Sequence, residues 1–565
     1  MLASLLATLA TASGCTPSSE HGARAATGEP PSPWFVETGP GGGLDFVHET
    51  GATGGLHLPE ILGSGAALFD FDGDGKLDLY LPNGNFSLDP PGEHGRPVNR
   101  LFRQEPDGTF TDATAAAGLG DPGYGLGVAI GDVDNDGDAD VYLTNYGEDR
   151  LYRNRGDGTF EDATGPAGIR VAGFSTSAVF CDYDLDGWLD LYVARYVRYD
   201  PSQYCHNSAG QRDYCGPKAF NPAPDVLLHN NGNGTFGDVS RRAGLHGVAA
   251  AAGLGVVCQD LDDDGWPDFY VANDQYANHL WVNRGDGTFD ERALLLGAAY
   301  NLEGREEAGM GVVAADLDSD LDLDLFVTNM GGETNTLYRN LGGGVFEDAT
   351  GGAGLAASSL PYTGFGVVAF DAELDGDLDL AVANGRVFRG PREPGATAER
   401  PWSFFAEPNL FYLNRGAGRF EAAAEVAAPF TRPVEVSRGL ALGDVDDDGD
   451  LDLLLTQAQG PARLVRNVAP RSGHWLSLRA WDPRLNRDAI GARIVVSAGG
   501  RQRLGTVATG YSYLSSHDPR AHFGLGQARA VDRVDVVWPG GQRERFDVPG
   551  VDRAVVLRRG EGSAP

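Results

Sequence analysis

Short apolar runs separated by polar turns follow one another along most of the chain, in the two-residue alternation typical of β-strands. In the stretch 124–164, the runs 127–130 and 141–143 flank an aspartate-rich loop, and the runs 150–154 and 160–164 flank a Gly-Asp-Gly turn. An Asp-Gly turn between alternating runs is a strong hairpin signal. Each such stretch therefore predicts two hairpins, which together form a four-stranded antiparallel unit.

This unit recurs seven times, and radial repetition of such units is how β-propellers limit exposed sheet edges. We therefore predict an all-β fold in which residues 34–470 form a seven-bladed β-propeller. The seventh repeat ends without an outer strand. The segment that begins at Phe35 has the same spacing to Leu44 as Phe110 has to Leu119, so it is predicted to supply that strand and close the ring.

Beyond about residue 470 the aspartate-rich loops stop and the arginine content rises. Alternating runs at 475–479, 493–496 and 534–538 are separated by glycine and proline turns. This pattern predicts a small C-terminal β-sandwich domain over 471–560.

The aspartate-rich loop has the pattern D-x-D-x-D-G-x-x-D, with acidic residues at positions 1, 3, 5 and 9. Calcium takes about 6 to 8 oxygen ligands at about 2.3–2.6 Å, so a short loop that holds it must curl and present carboxylates on alternate residues. Glycine at position 6 allows the positive φ of such a curl, and the carbonyl of position 7 can add an oxygen. An EF-hand loop begins with the same rhythm but ends in Glu at position 12 between helices, whereas these loops lie between strands.

Seven copies of the loop predict up to seven calcium ions as cofactors. Two copies deviate, because Leu321 replaces the glycine of the fifth loop and Glu373 replaces the second aspartate of the sixth. The predicted ligands, including the residue that offers its carbonyl at position 7, are Asp70, Asp72, Asp74, Lys76 and Asp78; Asp132, Asp134, Asp136, Asp138 and Asp140; Asp182, Asp184, Asp186, Trp188 and Asp190; Asp260, Asp262, Asp264, Trp266 and Asp268; Asp316, Asp318, Asp320, Asp322 and Asp324; Asp371, Glu373, Asp375, Asp377 and Asp379; and Asp444, Asp446, Asp448, Asp450 and Asp452.

The formal net charge of −36 has its origin in these loops. They hold 34 of the 80 acidic residues but only one of the 44 basic residues, Lys76, so the rest of the chain is close to neutral. Without a cation the clustered carboxylates repel one another strongly. Nucleic acid is not expected as a partner of such an acidic surface.

The N-terminal residues 1–15 form an apolar run too short to span a bilayer, followed by small residues and a cysteine. This run resembles a bacterial lipoprotein signal whose lipobox is 12–15, so lipidation of Cys15 is predicted, with an ordinary cleaved signal peptide as the alternative. Either signal exports the protein, to the cell envelope or outer surface, to the periplasm, or as a secreted protein. Residues 16–33 read as a flexible tether, and any membrane contact is expected only through the lipid.

Two inserts, 199–224 and 386–408, interrupt the repeat, and such insertions often carry a binding surface. Cys205 and Cys215 lie in the first insert and are predicted to form a disulfide in an oxidising compartment; a soft-metal site with the adjacent histidine is the alternative. Cys181 and Cys258 lie in separate strands and are expected to remain reduced, because strands of alternating face should not bring them together.

The loop repeats resemble the FG-GAP/VCBS repeats of integrin-type propellers. The segments 486–492 (NRDAIGA), 510–515 (GYSYLS), 522–526 (HFGLG) and 538–541 (WPGG) are similar to the ASPIC/UnbV domain. Over about 34–550, the order of the two parts resembles the cartilage acidic protein family. This resemblance implies an extracellular, calcium-binding protein with an adhesive or ligand-binding role and no established reaction.

The residues themselves indicate no catalyst, since the chain has no G-x-S-x-G elbow, P-loop or H-E-x-x-H motif. Two hypotheses of different class follow. The first is a surface binding or scaffold protein whose partner is an extracellular protein or glycan. The alternative is a propeller enzyme acting on extracellular polysaccharide, which would require an acid pair outside the loops that converges with aromatic residues in one cleft.

Overall fold

Seven four-stranded antiparallel blades make up most of the computed structural model, which describes residues 32–38, 42–86 and 97–565. The strands of blades 1 to 4 are Ala67–Phe69, Asp78–Leu81, Arg100–Gln104 and Phe110–Asp112; Tyr124–Gly131, Asp140–Glu148, Arg150–Asn154 and Phe160–Asp162; Ala172–Cys181, Asp190–Arg195, Val226–Asn230 and Phe236–Asp238; and Gly253–Gln259, Asp268–Tyr276, His279–Asn283 and Phe289–Glu291. Those of blades 5 to 7 are Val312–Ala315, Asp324–Val327, Thr336–Asn340 and Phe346–Asp348; Gly364–Phe370, Asp379–Asn384, Leu410–Asn414 and Phe420–Ala422; and Ser437–Gly443, Asp452–Gln457, Arg463–Asn467 and Phe35–Glu37. The predicted propeller is confirmed.

The ring closes through the N-terminal strand. First strands of successive blades contact one another all the way round, including blade 7 against blade 1. In blade 7, Phe35 pairs with Asn467 and Glu37 pairs with Val465. Phe35 is fully buried, and its ring lies 5.6 Å from that of Phe411 in blade 6. The predicted closure by the segment that begins at Phe35 is therefore confirmed.

Cys181 and Cys258 form a disulfide with Cα atoms 6.3 Å apart, so the prediction that both stay reduced is wrong. Cys181 ends the first strand of blade 3, and Cys258 is the penultimate residue of the first strand of blade 4. The alternation of side chains between the two faces of a strand applies within one sheet. Neighbouring blades, however, pack with the face of one sheet against the face of the next. The two cysteines point into one inter-blade core that also contains Val179 and Val256, and there they meet.

Both inserts lie at the end of the propeller opposite the aspartate loops, because each follows the second strand of its blade. The first insert contains the predicted disulfide between Cys205 and Cys215, with Cα atoms 5.1 Å apart, so the metal-site alternative for Cys205 does not hold. The ring of Tyr214 in the first insert lies 5.5 Å from that of Phe405 in the second. Short strand pairs brace this face: Val197–Arg198 with Asn221–Pro222, Cys205–His206 with Arg212–Asp213, Glu407–Pro408 with Val434–Glu435, and Val47–His48 with Gly460–Pro461.

The C-terminal part is a sandwich of two sheets, as predicted. One sheet orders Arg487–Asp488, His474–Asp482 and Ala521–Gly526, with Arg553–Arg558 parallel to His474–Asp482; the other orders Arg501–Thr506, Arg493–Ala498, Arg533–Val537 and Arg543–Phe546. Between them lies a core in which Ile494, Val536 and Trp538 are almost completely buried.

One loop of this sandwich, residues 509–517, enters the propeller channel, and we call it the plug. Its short strands are Gly510–Tyr511 and Ser515–Ser516. Hydrogen bonds or bridges join the plug to six blades: Ser516 N–H to Ala66 O (2.9 Å), Val128 N–H to Leu514 O (3.1 Å), Leu514 N–H to Ser177 Oγ (3.0 Å), Ser512 N–H to Val312 O (2.7 Å), Val367 N–H to Ser512 Oγ (2.9 Å) and Leu442 N–H to His517 Nδ1 (3.1 Å). The first strand of blade 4 also contacts Gly510–Tyr511. The predicted domains 34–470 and 471–560 consequently pack as one unit, 33–565.

Helices contribute little to the part of the chain that is described. They are Leu58–Leu62, Thr114–Ala117, Ala293–Leu296, Ala356–Ser359 and Ala428–Thr431, with 3-10 turns at Pro217–Ala219, Leu245–Gly247 and Trp402–Phe404. None of the described helices has the length and apolar character needed to cross a membrane. The predicted signal 1–15 with Cys15, and the tether 16–33 up to residue 31, lie outside the described residues.

Candidate metal centres

Each aspartate loop is the turn between the first and second strands of a blade, so all seven loops lie on one face of the propeller. A shared hydrogen-bond scaffold gives them one shape. In the second loop, the Gly137 N–H donates to Asp132 Oδ2 at 2.9 Å, and the Asp138 N–H donates to Asp136 Oδ1 at 3.0 Å. The same two bonds recur in the other six loops.

The deviating fifth loop keeps this shape. Leu321 adopts φ +78°, and its N–H donates to Asp316 Oδ2 at 3.2 Å, as the glycine does in the other copies. Position 4 is also left-handed in every loop, although only the first loop has glycine there. A left-handed leucine costs roughly 1–2 kcal/mol, so the surrounding scaffold holds Leu321 in this conformation.

The position-9 aspartates are the structural anchors of the loops, with exposure of at most 1%. In the second loop, Asp140 Oδ2 accepts the Val133 N–H at 2.9 Å, and Asp140 Oδ1 accepts the Asn154 N–H at 2.8 Å. The carboxylate therefore ties the start of its own loop to the third strand of the same blade. Each oxygen has a second lone pair, which leaves it able to coordinate an ion.

The third strand contributes a residue that sequence reasoning missed. The side-chain amide of Asn154 donates to the carbonyl of Phe71, in the loop of the preceding blade, at 2.8 Å. The equivalent bonds are Asn230 to Val133, Asn283 to Tyr183, Asn340 to Leu261, Asn414 to Leu317, Asn467 to Ala372, and Gln104 to Val445. The sequence signal available for this residue was an asparagine at a fixed place before the outer hairpin turn. These seven bonds join each loop to the next blade.

The loops bring the predicted ligands together. The ligand oxygens of Asp70, Asp72 and Asp78 lie within 4.8 Å of one another, and so do those of the corresponding sets Asp132, Asp134 and Asp136; Asp182, Asp184 and Asp186; and Asp260, Asp262 and Asp268. Several carboxylate oxygens at positions 1 and 3 are shielded from solvent and accept no hydrogen bond: Asp134 Oδ1, Asp182 Oδ1, Asp184 Oδ1, Asp260 Oδ1, Asp318 Oδ1 and Glu373 Oε2. Buried polar atoms normally have partners. A hard cation with oxygen ligands fits these atoms.

The raised pKa values of the loop carboxylates agree with a cation in these loops. Burial raises the pKa of Asp78 to about 8, with a smaller contribution from the neighbouring carboxylates of Asp72 and Asp70. Burial likewise raises the pKa of Asp324 to about 8, and the pKa of Asp132 to about 6. The scaffold thus holds carboxylates where the anionic form is disfavoured without a nearby positive charge.

Basic residues of the third strand face the position-3 acids in several blades. Arg153 contacts Asp134, and Arg466 contacts Asp446. Blade 3 has a histidine in this register: His229 Nδ1 lies 3.1 Å from Asp190 Oδ1 and 3.4 Å from Asp184 Oδ2.

The C-terminal sandwich contacts the loop face directly. Arg487 donates to Asn135 Oδ1 at 2.8 Å in the second loop, and to the carbonyl of Gly187 at 3.3 Å in the third. Arg493 donates to the carbonyl of Leu321 at 3.1 Å in the fifth loop. The loop shape is therefore stabilised by contacts with the sandwich as well as by hydrogen bonds within each blade.

Comparisons with known families agree with this architecture. Residues 70–143, 132–193, 260–327 and 316–382 match the FG-GAP-like repeat, and residues 482–564 match the family described as ASPIC and UnbV. The chain is an FG-GAP-repeat protein with a C-terminal ASPIC and UnbV domain. The predicted resemblance is therefore confirmed for both parts.

Curated relatives resemble this chain over part of their length. Cartilage acidic protein 1 of Xenopus tropicalis is 28% identical over 319 residues, covering 53% of this chain and 44% of that protein. The Homo sapiens protein of the same name is 27% identical over 362 residues, covering 60% of this chain and 49% of that protein. The chain thus spans about half the length of the curated relatives it matches. A solved structure, YCF48 bound to D1 peptide, aligns over 76% of this chain and 97% of its own with 9% identity and a TM-score of 0.39, so the blade count rests on the strand pairing described above.

Proposed function

We propose that this FG-GAP-repeat protein is exported, holds calcium in its propeller loops, and binds an extracellular protein or glycan without catalysing a reaction. The observation that carries the proposal is the common loop geometry, in which oxygen ligands converge and buried carboxylate oxygens lack hydrogen-bond partners. Up to seven calcium ions would neutralise 14 of the 36 excess negative charges. The matched families carry no established reaction, which supports a binding role.

Calcium in these loops stabilises the native propeller because the ligands converge only after folding. A ligand bound to the folded state alone adds RT ln(1 + [L]/Kd), about 2.7 kcal/mol per site at a hundredfold excess over Kd. Several filled sites together approach the whole stability of a typical domain, about 5–15 kcal/mol. Removal of calcium is therefore expected to lower the melting temperature strongly.

Thermal melting of the full chain with calcium and with EDTA tests this part. Terbium, a luminescent substitute for calcium, is a second probe, because Trp188 and Trp266 occupy position 7 of the third and fourth loops and can sensitise it. Asp264→Asn removes one carboxylate of the fourth loop and should reduce the calcium-dependent rise in Tm. Asp286→Asn is the matched control, since this exposed acid lies in an outer hairpin turn and an amide oxygen can replace its bond to Thr288. A Tm unmoved by EDTA, with no terbium emission, would contradict the proposal.

The insert face is the proposed ligand-binding surface. A cleft of about 680 Å³ opens there beside the first insert, with Tyr146 and Tyr199 as an aromatic wall and Arg195 and Arg198 as cationic groups. Aromatic faces and guanidinium groups are suited to ligands that combine an apolar surface with acidic groups. Nucleic acid remains an unexpected partner for a chain of this net charge.

A screen of the calcium-loaded chain against glycans and extracellular proteins tests ligand binding. Arg198→Glu should weaken the strongest binder found in the screen, because it reverses a charge at the cleft. Arg529→Glu makes the same change at an exposed position of the sandwich and should leave binding unchanged. Equal loss in both variants would place the interaction elsewhere.

Export is supported by the two disulfides, which form and persist in oxidising compartments. Within that location we propose attachment to the bacterial cell envelope through a lipid on Cys15, with the secreted or periplasmic form as the alternative. Mass spectrometry of the membrane fraction distinguishes them, because a lipidated N-terminal cysteine and an unmodified N-terminus differ in mass. The alternative function, an enzyme acting on polysaccharide, has no observation in its favour among the described residues.

A further inference from the structure

Blade 3 differs from the other six blades in placing a histidine of its third strand beside its aspartate loop. The residue before the recurring third-strand asparagine or glutamine is arginine in blades 1, 2, 5 and 7, namely Arg103, Arg153, Arg339 and Arg466. It is apolar in blades 4 and 6, namely Val282 and Leu413. Only blade 3 has histidine there, His229. An arginine in this register is a fixed positive charge, whereas a neutral imidazole offers a lone pair.

The donor atoms around His229 are arranged as the ligands of a metal ion would be. Its Nδ1 is shielded from solvent and lies 3.1 Å from Asp190 Oδ1 and 3.4 Å from Asp184 Oδ2, so both carboxylates face the same ring nitrogen. One donor atom from each of His229, Asp184 and Asp190 lies within 4.8 Å of the other two. Donor separations of about 3.0–3.5 Å fit an ion whose bonds are about 2.0–2.2 Å long. The imidazole nitrogen, rather than the spacing, favours a first-row divalent metal over calcium.

Independent support comes from Asp182, which begins the same loop. Its side chain is 6% exposed, and its Oδ1 accepts no hydrogen bond. Asp190 is fully buried, and its oxygens accept the Asn230 N–H at 2.8 Å and the Tyr183 N–H at 3.3 Å, so its orientation is fixed. The adjacent Cys181 is held in a disulfide and supplies no thiolate. The donors available to an ion here are therefore imidazole nitrogen and carboxylate oxygen.

We propose that the third loop is a mixed nitrogen and oxygen site for a first-row divalent transition metal of the zinc class, with His229, Asp184 and Asp190 as ligands. Imidazole suits zinc and its neighbours in the first row, whereas calcium takes oxygen ligands. This inference rests on the proposed function only in treating the third loop as a metal loop. The oxygen-only sites of the other six loops are unaffected by it.

Cobalt(II) is the probe, because its visible absorption reports nitrogen coordination and zinc displaces it from the same site. The full chain is stripped with chelator, saturated with calcium and titrated with cobalt. We expect one equivalent to bind with an absorption band that excess zinc abolishes and excess calcium does not. Calcium-loaded chain should also gain thermal stability when zinc is added.

His229→Arg gives blade 3 the arrangement found in four other blades, so it should fold and keep its calcium response. Cobalt binding in this variant should weaken about tenfold or more, because the loss of even an outer-shell partner typically costs about 10- to 100-fold in metal affinity. His229→Gln is the second variant, in case the arginine disturbs the blade, and His246→Gln is the control at an exposed histidine. Unchanged cobalt binding in both His229 variants, or displacement of cobalt by calcium, would overturn the inference.

The two proposals fail separately. Loss of every calcium effect with cobalt binding intact would contradict calcium loading and leave the His229 site standing. Calcium stabilisation with no cobalt band would support calcium loading and contradict the His229 site.

Discussion

The side-chain amide of Asn154 donates to the carbonyl oxygen of Phe71 at 2.8 Å, and this bond links the third strand of blade 2 to the aspartate loop of blade 1. The backbone N–H of the same asparagine donates to Asp140 in its own blade. One residue therefore connects the anchor of one loop to the backbone of its neighbour. Because the equivalent bond recurs at every blade junction, the loops form a continuous hydrogen-bonded ring.

Asn154→Ala removes the inter-blade bond to Phe71, the side-chain bond to the Ala139 carbonyl and the acceptor of the Gly156 N–H, and it keeps the backbone bond to Asp140. We expect a loss of about 1–3 kcal/mol in the free energy of unfolding, because the buried Phe71 carbonyl is left without a partner. Chemical denaturation measures this loss. Asn231→Ala is the control, because Asn231 lies at an exposed position in the outer hairpin turn of blade 3. It should change stability by less than about 0.5 kcal/mol. A similar small change for Asn154→Ala would mean that the ring of amide bonds is not structural.

Sequence patterns were sufficient for the elements that repeat. The D-x-D-x-D-G-x-x-D spacing located seven hairpin turns, and the spacing after Phe35 located the closing strand. Both depend on local geometry, since a curled loop and a paired strand each leave a signature within about ten residues.

Contacts between repeats were harder to predict. The meeting of Cys181 and Cys258 depends on how two blades stack, and the entry of the plug depends on the position of a whole sandwich. In the sequence, Asn154 was recognisable only as a residue type that recurs at the same place in each repeat. Its acceptor is a backbone carbonyl, which leaves no side-chain signature. At Leu321 the fifth loop deviates from the sequence pattern, but the backbone bonds to Asp316 maintain the curl.

The two disulfides should differ in their effect on stability. The Cys181–Cys258 bond closes a loop of 77 residues, whereas the Cys205–Cys215 bond closes one of 10. In the chain-entropy model these loops correspond to about 4.5 and about 2.7 kcal/mol. Replacing both cysteines of the first pair by alanine should therefore lower Tm more than the same replacement in the second.

Thiol labelling of the denatured, unreduced chain is the accompanying measurement. Cys181, Cys258, Cys205 and Cys215 should all remain unlabelled until a reductant is added. Labelling of Cys181 and Cys258 before reduction would support the original expectation of free thiols.

Tyr513 at the centre of the plug should couple the sandwich to the propeller. Its side chain is fully buried, its hydroxyl donates to the carbonyl of Leu62 at 3.1 Å, and its ring lies 4.9 Å from that of Phe365. Tyr513→Ala is expected to cost about 3–5 kcal/mol, as for other large buried aromatic side chains. Tyr204→Ala, at a tyrosine with 55% exposure in the first insert, is the control. An unchanged denaturation midpoint in Tyr513→Ala would show that the plug contributes no stability.

His517 should make the plug sensitive to acid. Burial lowers the pKa of His517 from 6.5 to about 3, and its Nδ1 accepts the Leu442 N–H at 3.1 Å in the neutral form. The unfolded chain takes up a proton below pH 6.5 and the folded chain does not, so stability is complete above pH 6.5 and falls as the pH drops towards 3.

The slope contributed by this one histidine is about 1.4 kcal/mol per pH unit, beginning near pH 6.5. His517→Gln removes the titrating group while keeping a side chain that can accept the Leu442 N–H. Denaturant unfolding of both proteins between pH 7.5 and about pH 5, in the presence of calcium, measures the difference in slope. We expect the variant to lose less stability on acidification than the wild type, because it no longer has the unfolded-state proton uptake of His517. Parallel curves for the two proteins would mean that His517 binds its proton equally in the folded and unfolded chains, which would contradict its burial in the channel.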